Sequence, residues 1–388
     1  MDDGSEDARQ SLVHRLTTRA WHDEVYRELL FNDAHAAILD ELGEVPHELR
    51  NVRFRRRPVD RARVRPTPRG RRLVVRPKYG DVPLSVVKRQ VFGVTELIVV
   101  FYTRRCRYQC TFCTLPSTSA LSDVPLDDID KQVDVALDRA GDLSGTRQVF
   151  LGNEGSILDA RTFPREQLEH VLRRFGALPG VEEFVLETRA EFVTEELIDA
   201  ILGWVLPARL SVKIGLESVD DHVRENVLRK RMDLDEFEAV VSLLGTRGVG
   251  LSSYVLVKAD PHHSDEDGKR DALATCRYLT TLCRRTGTRL TLKVNSMYRA
   301  ANSMWAGWAA ASGWVPPSIF DLAEVLLGAA EEDVRVFAGL SEEGLATADG
   351  HYEVRSDFAL WAQRALEEFN RTGDIALVRN VVARRPPP

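Results

Sequence analysis

Three of the chain's five cysteines fall within eight positions, in the run Arg105-Cys106-Arg107-Tyr108-Gln109-Cys110-Thr111-Phe112-Cys113. Spacings of four and three residues let one tight loop fold three thiolates around a single centre. Zinc would want a fourth ligand close by, usually from a second Cys or His pair, and none follows. An iron–sulfur cluster is held by cysteine thiolates, and one with only three protein ligands leaves an iron open. An open iron can bind a substrate or cofactor, so the run reads as a reactive site and not as a structural staple. Free cysteines do favour protein interiors, but ordinary core residues do not cluster beside Arg104, Arg105 and Arg107. A disulfide framework is not expected in a chain of this size without a secretory leader pattern.

The run directly follows the apolar stretch 97–102, which reads as a buried strand. A regular alternation continues from there. Further strands are predicted over 148–151, 183–187, 210–216, 250–257 and 289–294. Helices are predicted over 126–140, 165–175 and 194–202, within 220–246, and over 265–285. Thr194 is the expected N-cap of the third helix, with Glu195 and Glu196 in its first turn. Six strand–helix units in succession imply parallel strands joined by right-handed crossovers. The sheet is either open and doubly wound or barrel-like. Both arrangements put reactive groups at the carboxyl ends of the strands, where the unusual polar residues lie. These are Gly152-Asn153-Glu154-Gly155, Glu187 and Arg189, Glu217, Lys258 and Asn295. Cys276 and Cys283 are seven residues apart on one helix and are expected to share the face packed on the sheet.

The spacing Cys-x3-Cys-x2-Cys after a first strand, with Phe112 before the last cysteine, resembles the radical S-adenosylmethionine (radical SAM) superfamily. The resemblance implies a partial (β/α)6 barrel and a [4Fe–4S] cluster on Cys106, Cys110 and Cys113. It also implies S-adenosylmethionine bound at the open iron and cleaved to a 5′-deoxyadenosyl radical that abstracts hydrogen. An external one-electron donor of flavodoxin or ferredoxin type is implied with it. By the same resemblance Phe112 packs near the adenine, Gly152, Asn153 and Glu154 form the turn that binds the methionine amino group, and Glu217 binds the ribose or amino group. Arg231, in the basic run after the fourth strand, is assigned to the cofactor. Glu187, Arg189, Lys258 and Asn295 are assigned to the substrate.

Longer strings are similar to the branch containing the Elongator catalytic subunit and the radical SAM partner of archaeosine synthase. They include Leu186-Glu187-Thr188-Arg189-Ala190-Glu191-Phe192-Val193, Ile214-Gly215-Leu216-Glu217-Ser218 and Tyr254-Val255-Leu256-Val257-Lys258. Two departures stand out. The first cysteine spacing is shorter than in archaeal members, and Lys258 is not followed by their Pro-Pro-Phe. A small molecule is therefore the expected substrate, with a tRNA nucleoside as the alternative and a non-catalytic iron–sulfur protein as a third reading.

Composition bounds the rest. The chain has 388 residues, 44% of them hydrophobic and 29% charged, as in an ordinary globular protein. Its net charge of −6 argues against a whole-molecule polyanion binder. No apolar run approaches the roughly 20 residues that cross a bilayer, so no membrane association is expected and the cytoplasm is the expected compartment. The expected organisation is a helical N-terminal extension (1–50), an Arg/Pro-rich arm or hairpin (51–92), the barrel (93–300) and an α-rich C-terminal cap (301–388). Eleven arginines lie between Arg53 and Arg76, interrupted by Pro58, Pro66 and Pro68. Proline excludes helix interiors, so the arm is extended. It is either a solvated strap or an RNA contact.

Overall fold

The computed structural model describes residues 64–66, 72–74, 80–117, 119–341, 345–347 and 357–386. All of these belong to one compact unit, Ala62–Pro388. The expected helical extension lies outside the described residues, as does most of the arginine-rich arm. Within that arm the structure describes a two-stranded antiparallel ladder, β1 (Val64–Pro66) with β2 (Arg72–Val74), and the stretch 80–92.

The main sheet runs β3 (Ser85–Val91), β4 (Val94–Phe101), β5 (Thr146–Asn153), β6 (Glu183–Thr188), β7 (Arg209–Glu217), β8 (Gly250–Val257), β9 (Leu290–Ser296) and β10 (Arg335–Gly339), and its spatial order is the chain order. That order decides between the two predicted architectures. A doubly wound sheet reverses its strand order at a switch point, and this one never reverses. Right-handed crossovers then put every helix on the same face, and the sheet curls into a half-barrel. The covering helices are α1 (Leu126–Ala140), α2 (Arg165–Gly176), α3 (Glu195–Val205), α4 (Leu234–Thr246) and α5 (Asp265–Thr286). After β9 come α6 (Met304–Ala311) and α7 (Ile319–Ala330), and α8 (Asp357–Thr372) and α9 (Ile375–Ala383) follow β10. Thr194 caps α3 as predicted, its side chain accepting from the Leu197 N–H. No helix among the described residues is long and apolar enough to cross a membrane.

Side chains alternate between the two faces of the sheet. In β4, Leu97, Val99 and Phe101 are fully buried toward the helices, while Glu96 lies on the concave side with Arg89. Phe184, Leu186, Val212 and Ile214 continue the outer layer against Ile129, Val171, Phe175 and Ile198. Each such side chain contributes about 2 kcal/mol by leaving water. Cys276 and Cys283 join this core, and burial pushes both thiols up to about 12.

The sheet is larger than the six predicted strands at both edges. β10 extends the parallel set within the segment expected to be an α-rich cap. It spans five residues after two helices, too short to stand out by periodicity. At the other edge β3 pairs antiparallel with β4, within the segment expected to be an arm. Their turn uses Phe92 (φ 51°) and Gly93 (φ 77°), both left-handed. Two-residue hairpin turns of this kind normally announce themselves as Asn-Gly, and Phe-Gly hides the signal.

The edges of the curl are joined by a helix and not by strand pairing. The side-chain amide of Asn370 on α8 accepts from the Ala338 N–H and donates to the Ala338 carbonyl, both at 2.8 Å. The backbone carbonyls of Asn370 and Arg371 accept from the N–H groups of Phe92 and Gly93 at 2.8 and 2.7 Å. Phe92 also meets Phe337 edge-on, with centroids 6.1 Å apart. Asn370→Ala strands both Ala338 groups, so it is expected to cost about 3 kcal/mol in urea unfolding. A loss under about 0.5 kcal/mol would remove this seam from the account of stability.

Candidate active site

The chain leaves β4 at Phe101, and the cysteine loop begins four residues later. Its neck is closed by the Arg105 N–H to the Ala120 carbonyl (2.8 Å) and the Ala120 N–H to the Thr103 carbonyl (2.9 Å). Inside it, the Tyr108 N–H points at the Cys106 sulfur at 3.4 Å, and the Cys113 N–H donates to the Cys110 carbonyl at 3.1 Å. Thr111, between two cysteines and buried, fastens the loop to the far side of the barrel. Its hydroxyl donates to the Val227 carbonyl (2.6 Å), its N–H to the Leu228 carbonyl (3.0 Å), and its carbonyl accepts from the Trp305 N–H (3.0 Å).

Two basic side chains brace the loop. Arg107 holds Asp159 with both arms of its guanidinium and lies 5.1 Å from the Phe192 ring centroid. Arg189 lies 3.8 Å from the Tyr108 ring centroid and donates to the carbonyls of Lys230 and Arg231 at 2.8 and 2.9 Å. Its carboxylate partner is Glu191.

Behind the loop sits a buried ion pair, Lys230 Nζ to Glu217 Oε1 at 2.8 Å. Lys230 Nζ is also 5.8 Å from the Phe112 ring centroid. Burial pushes the Lys230 pKa down, but Glu217 and Cys110 outweigh it and the net direction is upward. Gly215 makes room for the pair, because a Cβ there would fall 2.1 Å from Glu217 Oε1. The backbone around it is strained. Glu217 (φ 70°), Arg229 (52°) and Arg231 (49°) are all left-handed without being glycine, at a cost of about 1–3 kcal/mol each. A single π turn, His222–Val227, carries the buried Arg224, which donates to the carbonyls of Val219 (2.9 Å) and Met232 (3.0 Å) and shapes the 228–232 bend.

Several predicted residues therefore converge: the three cysteines, Phe112, Arg189 and Glu217. Glu154 joins them, accepting from Ser119 Oγ at 2.7 Å at the exit of the cysteine loop. Gly155 packs so closely that a Cβ would approach the Cys106 Cβ to 3.0 Å. Gly152, the next-to-last residue of β5, packs against the Phe150 ring. The Asn153 amide nitrogen is bound to Thr103 Oγ1 (3.0 Å) and Thr162 Oγ1 (3.4 Å), so this residue ties strand ends together. The Arg231 side chain is exposed, and the basic group turned inward is its neighbour Lys230. Glu187 lies on the concave face and accepts from the Tyr254 hydroxyl at 3.3 Å. Lys258 is committed to Asp265 (2.6 Å) and the Val315 carbonyl (2.8 Å). Asn295 is wedged against Gly339, where any Cβ would collide with its Oδ1. Thr111, Tyr108, Gly155 and Lys230 were not picked out as site residues from the sequence. Lys230, inside a basic run, and Gly155, in the glycine-flanked turn after the second strand, left a signal there.

The donor set suits an iron–sulfur group in kind. Cys106, Cys110 and Cys113 are free thiols of one loop, and the buried cations Lys230 and Arg189 face their charge. Burial pushes Cys113 up to about 12 and Cys106 upward as well, so ligation must expel protons. Among the described residues, no three His, Cys, Asp or Glu side chains are gathered to hold a metal ion. A cluster makes the lesser demand, because each thiolate binds a different iron.

Residues 100–267 match the family model of the radical SAM superfamily, so the chain contains a radical SAM domain. Similar curated proteins include archaeosine synthase subunit beta of Thermococcus kodakarensis, 22% identical over 74% of this chain and 88% of that protein. The subunit of the same name from Methanosarcina acetivorans is 26% identical over 42% of this chain and 48% of its own length. An uncharacterized protein of Methanocaldococcus jannaschii is 22% identical over 42% of this chain and 46% of its own length. The match thus spans under half of two of these relatives. Among solved structures, archaeal Elp3 of Methanocaldococcus infernus aligns with a TM-score of 0.44 at 14% identity, over 63% of this chain and 59% of that one. Streptococcus suis SuiB bound to S-adenosylmethionine gives 0.44 at 12% identity, over 64% and 52%.

The ion pair gives a direct test. Lys230→Met leaves Glu217 buried and unpaired, with an expected loss of about 3–5 kcal/mol in urea unfolding. Adding Glu217→Gln is expected to restore most of it. A double variant as unstable as the single one would show that Lys230 acts through something other than Glu217.

Proposed function

We propose that this protein is a radical SAM enzyme that modifies a nucleoside of RNA. The observation that carries the reading is the three-thiol loop seated against Glu154, Glu217, Lys230 and Arg189 at the carboxyl ends of parallel strands. The likeness to two archaeosine synthase beta subunits supports the tRNA alternative better than the small-molecule substrate expected from the sequence.

When bound, a reduced [4Fe–4S] cluster with S-adenosylmethionine supplies a 5′-deoxyadenosyl radical that takes hydrogen from carbon. The chain's own residues do the remaining work. Cys106, Cys110 and Cys113 hold the cluster, and Lys230 and Arg189 offset the thiolate charge. Thr111 fixes the loop's height over the barrel. Glu154 and Glu217 orient the polar groups of S-adenosylmethionine, Phe112 packs on its adenine, and Gly152 and Asn153 shape the turn that carries Glu154. Glu187 faces the substrate. A flavodoxin or ferredoxin type donor supplies the electron, and the arginine-rich arm grips RNA phosphates.

Two experiments test this. After anaerobic reconstitution and chemical reduction, the protein is expected to convert S-adenosylmethionine to 5′-deoxyadenosine. Each of Cys106→Ala, Cys110→Ala and Cys113→Ala is expected to lose both the visible absorbance and that product. A cluster that forms without yielding 5′-deoxyadenosine would point to the non-catalytic reading. Separately, tRNA affinity is expected to fall steeply with salt, and replacing Arg55, Arg56 and Arg57 by glutamine should lower the log–log slope by about 3. Binding that ignores salt and these arginines would return the substrate to the small molecules.

A further inference from the structure

Helix α6 turns an apolar stripe toward solvent beside the cysteine loop. Its eight residues, from Met304 to Ala311, include no charged side chain. Trp305 and Ala309 pack inward, into a small core with Leu228, Leu256 and Trp314. Met304, Gly307, Trp308 and Ala311, at spacings of three and four, share the opposite face, and all four are exposed. Met304 is 52% exposed and Trp308 37%. The Trp305 N–H donates to the Thr111 carbonyl, between Cys110 and Cys113, at 3.0 Å, and the Trp305 ring N–H donates to the Ala259 carbonyl, just beyond β8, at 2.7 Å. Trp308 follows three residues later, about 4.5 Å along the helix axis. The stripe therefore borders the mouth of the half-barrel.

One cation leans on it. Arg229 Nη1 is 3.7 Å from the Met304 sulfur, and the guanidinium carbon is 5.5 Å from the Trp308 ring centroid. Arg229 adjoins Lys230, whose ammonium faces Phe112, so a single bend serves both the cysteine loop and the stripe.

Packing does not account for this surface. A helix that is apolar on all sides is normally buried, yet this one keeps a side in water. No carboxylate among the described residues pairs with Arg229 or with the exposed Arg231. Gly307 keeps the stripe flat, and a Cβ there would meet nothing within 4 Å. Ring, thioether and guanidinium together make a flat apolar surface bordered by positive charge. A purely apolar partner would leave the guanidiniums without a counter-charge. A nucleotide answers both features, because its base offers a π face to the ring and its phosphate an anion to the arginines.

We infer that the outer stripe of α6 is a stacking platform for a base of single-stranded RNA, with Trp308 against the base and Arg229 at the adjoining phosphate. The base held there neighbours the nucleoside that enters the half-barrel. The choice of RNA as occupant rests on the proposed function; the exposed ring and its arginine do not.

The test is fluorescence anisotropy of the full-length chain with a labelled single-stranded RNA of about twelve nucleotides, beside an oligomer of the same length whose riboses carry no bases. The unaltered chain is expected to prefer the RNA. Trp308→Ala is expected to weaken RNA binding about tenfold, the worth of one stacked base, at an unchanged salt slope and with no effect on the base-free oligomer. Trp308→Phe should keep most of the affinity. Arg229→Gln is expected to lower the log–log salt slope by about 0.7, one single-strand phosphate contact. Gly307→Gln places its bulk in open space, so it is expected to fold normally and to weaken RNA binding about tenfold. It decides the matter if thermal melting shows Trp308→Ala to be unfolded. Leu206→Ala, 70% exposed beyond the end of α3, should change nothing. Equal losses for RNA and the base-free oligomer would mean a grip on the backbone alone and overturn the inference. So would an absence of RNA binding, or RNA affinity unmoved by Trp308→Ala and Gly307→Gln, the result expected if the stripe receives a protein instead. No cluster enters the titration, so 5′-deoxyadenosine formation is scored independently. RNA binding that depends on the arginine-rich arm alone removes the platform and spares the RNA reading.

Discussion

The buried pair of Glu217 and Lys230 is the constraint around which the site is arranged. Two ions taken out of water lose several kcal/mol of hydration each and recover it only with good geometry. That geometry has consequences along the chain. Gly215 must lack a side chain, Glu217 must turn left-handed at the end of β7, and Arg229 and Arg231 must do the same on either side of Lys230. Arg189 and Arg224 then hold the carbonyls of the bend that delivers Lys230. Strain of this kind persists only where the surroundings over-determine it, and such places are commonly functional.

The cysteine loop depends on the same bend. Thr111 hangs from Val227 and Leu228, so the position of the thiols is set by residues more than a hundred positions later. Lys230 and Arg189 thereby become neighbours of the sulfurs. Anionic sulfur beside fixed cations in a partly buried site is well suited to hold a charged cofactor, because the compensating charges need no rearrangement when it arrives.

The half-barrel supplies two chemically different ends. At the carboxyl ends of the strands, carboxylates, cations and thiols converge on the loop. At the amino ends, lysines and arginines line a small cavity between aromatic rings. The seam made by Asn370 holds the two sheet edges at the curvature that lets Phe337 reach both Lys293 and Arg89. The polar interior and the apolar exterior follow from one alternation along each strand.

The sequence by itself determined the parallel strands from β4 to β9, because each carries a short apolar run or an apolar alternation between turn residues. It also determined the chemistry of the three-thiol loop, because those cysteines are close along the chain. Local spacing carried both. It did not reveal β10 or the β3–β4 hairpin, since a five-residue strand and a Phe-Gly turn lack a distinctive local pattern. Nor did it single out Thr111 or Lys230, or show that Arg231 faces solvent while its neighbour turns inward. Only the tertiary structure decided those points. Each depends on which backbone carbonyl or carboxylate a distant crossover brings within hydrogen-bond reach, and no periodicity along the chain encodes that meeting.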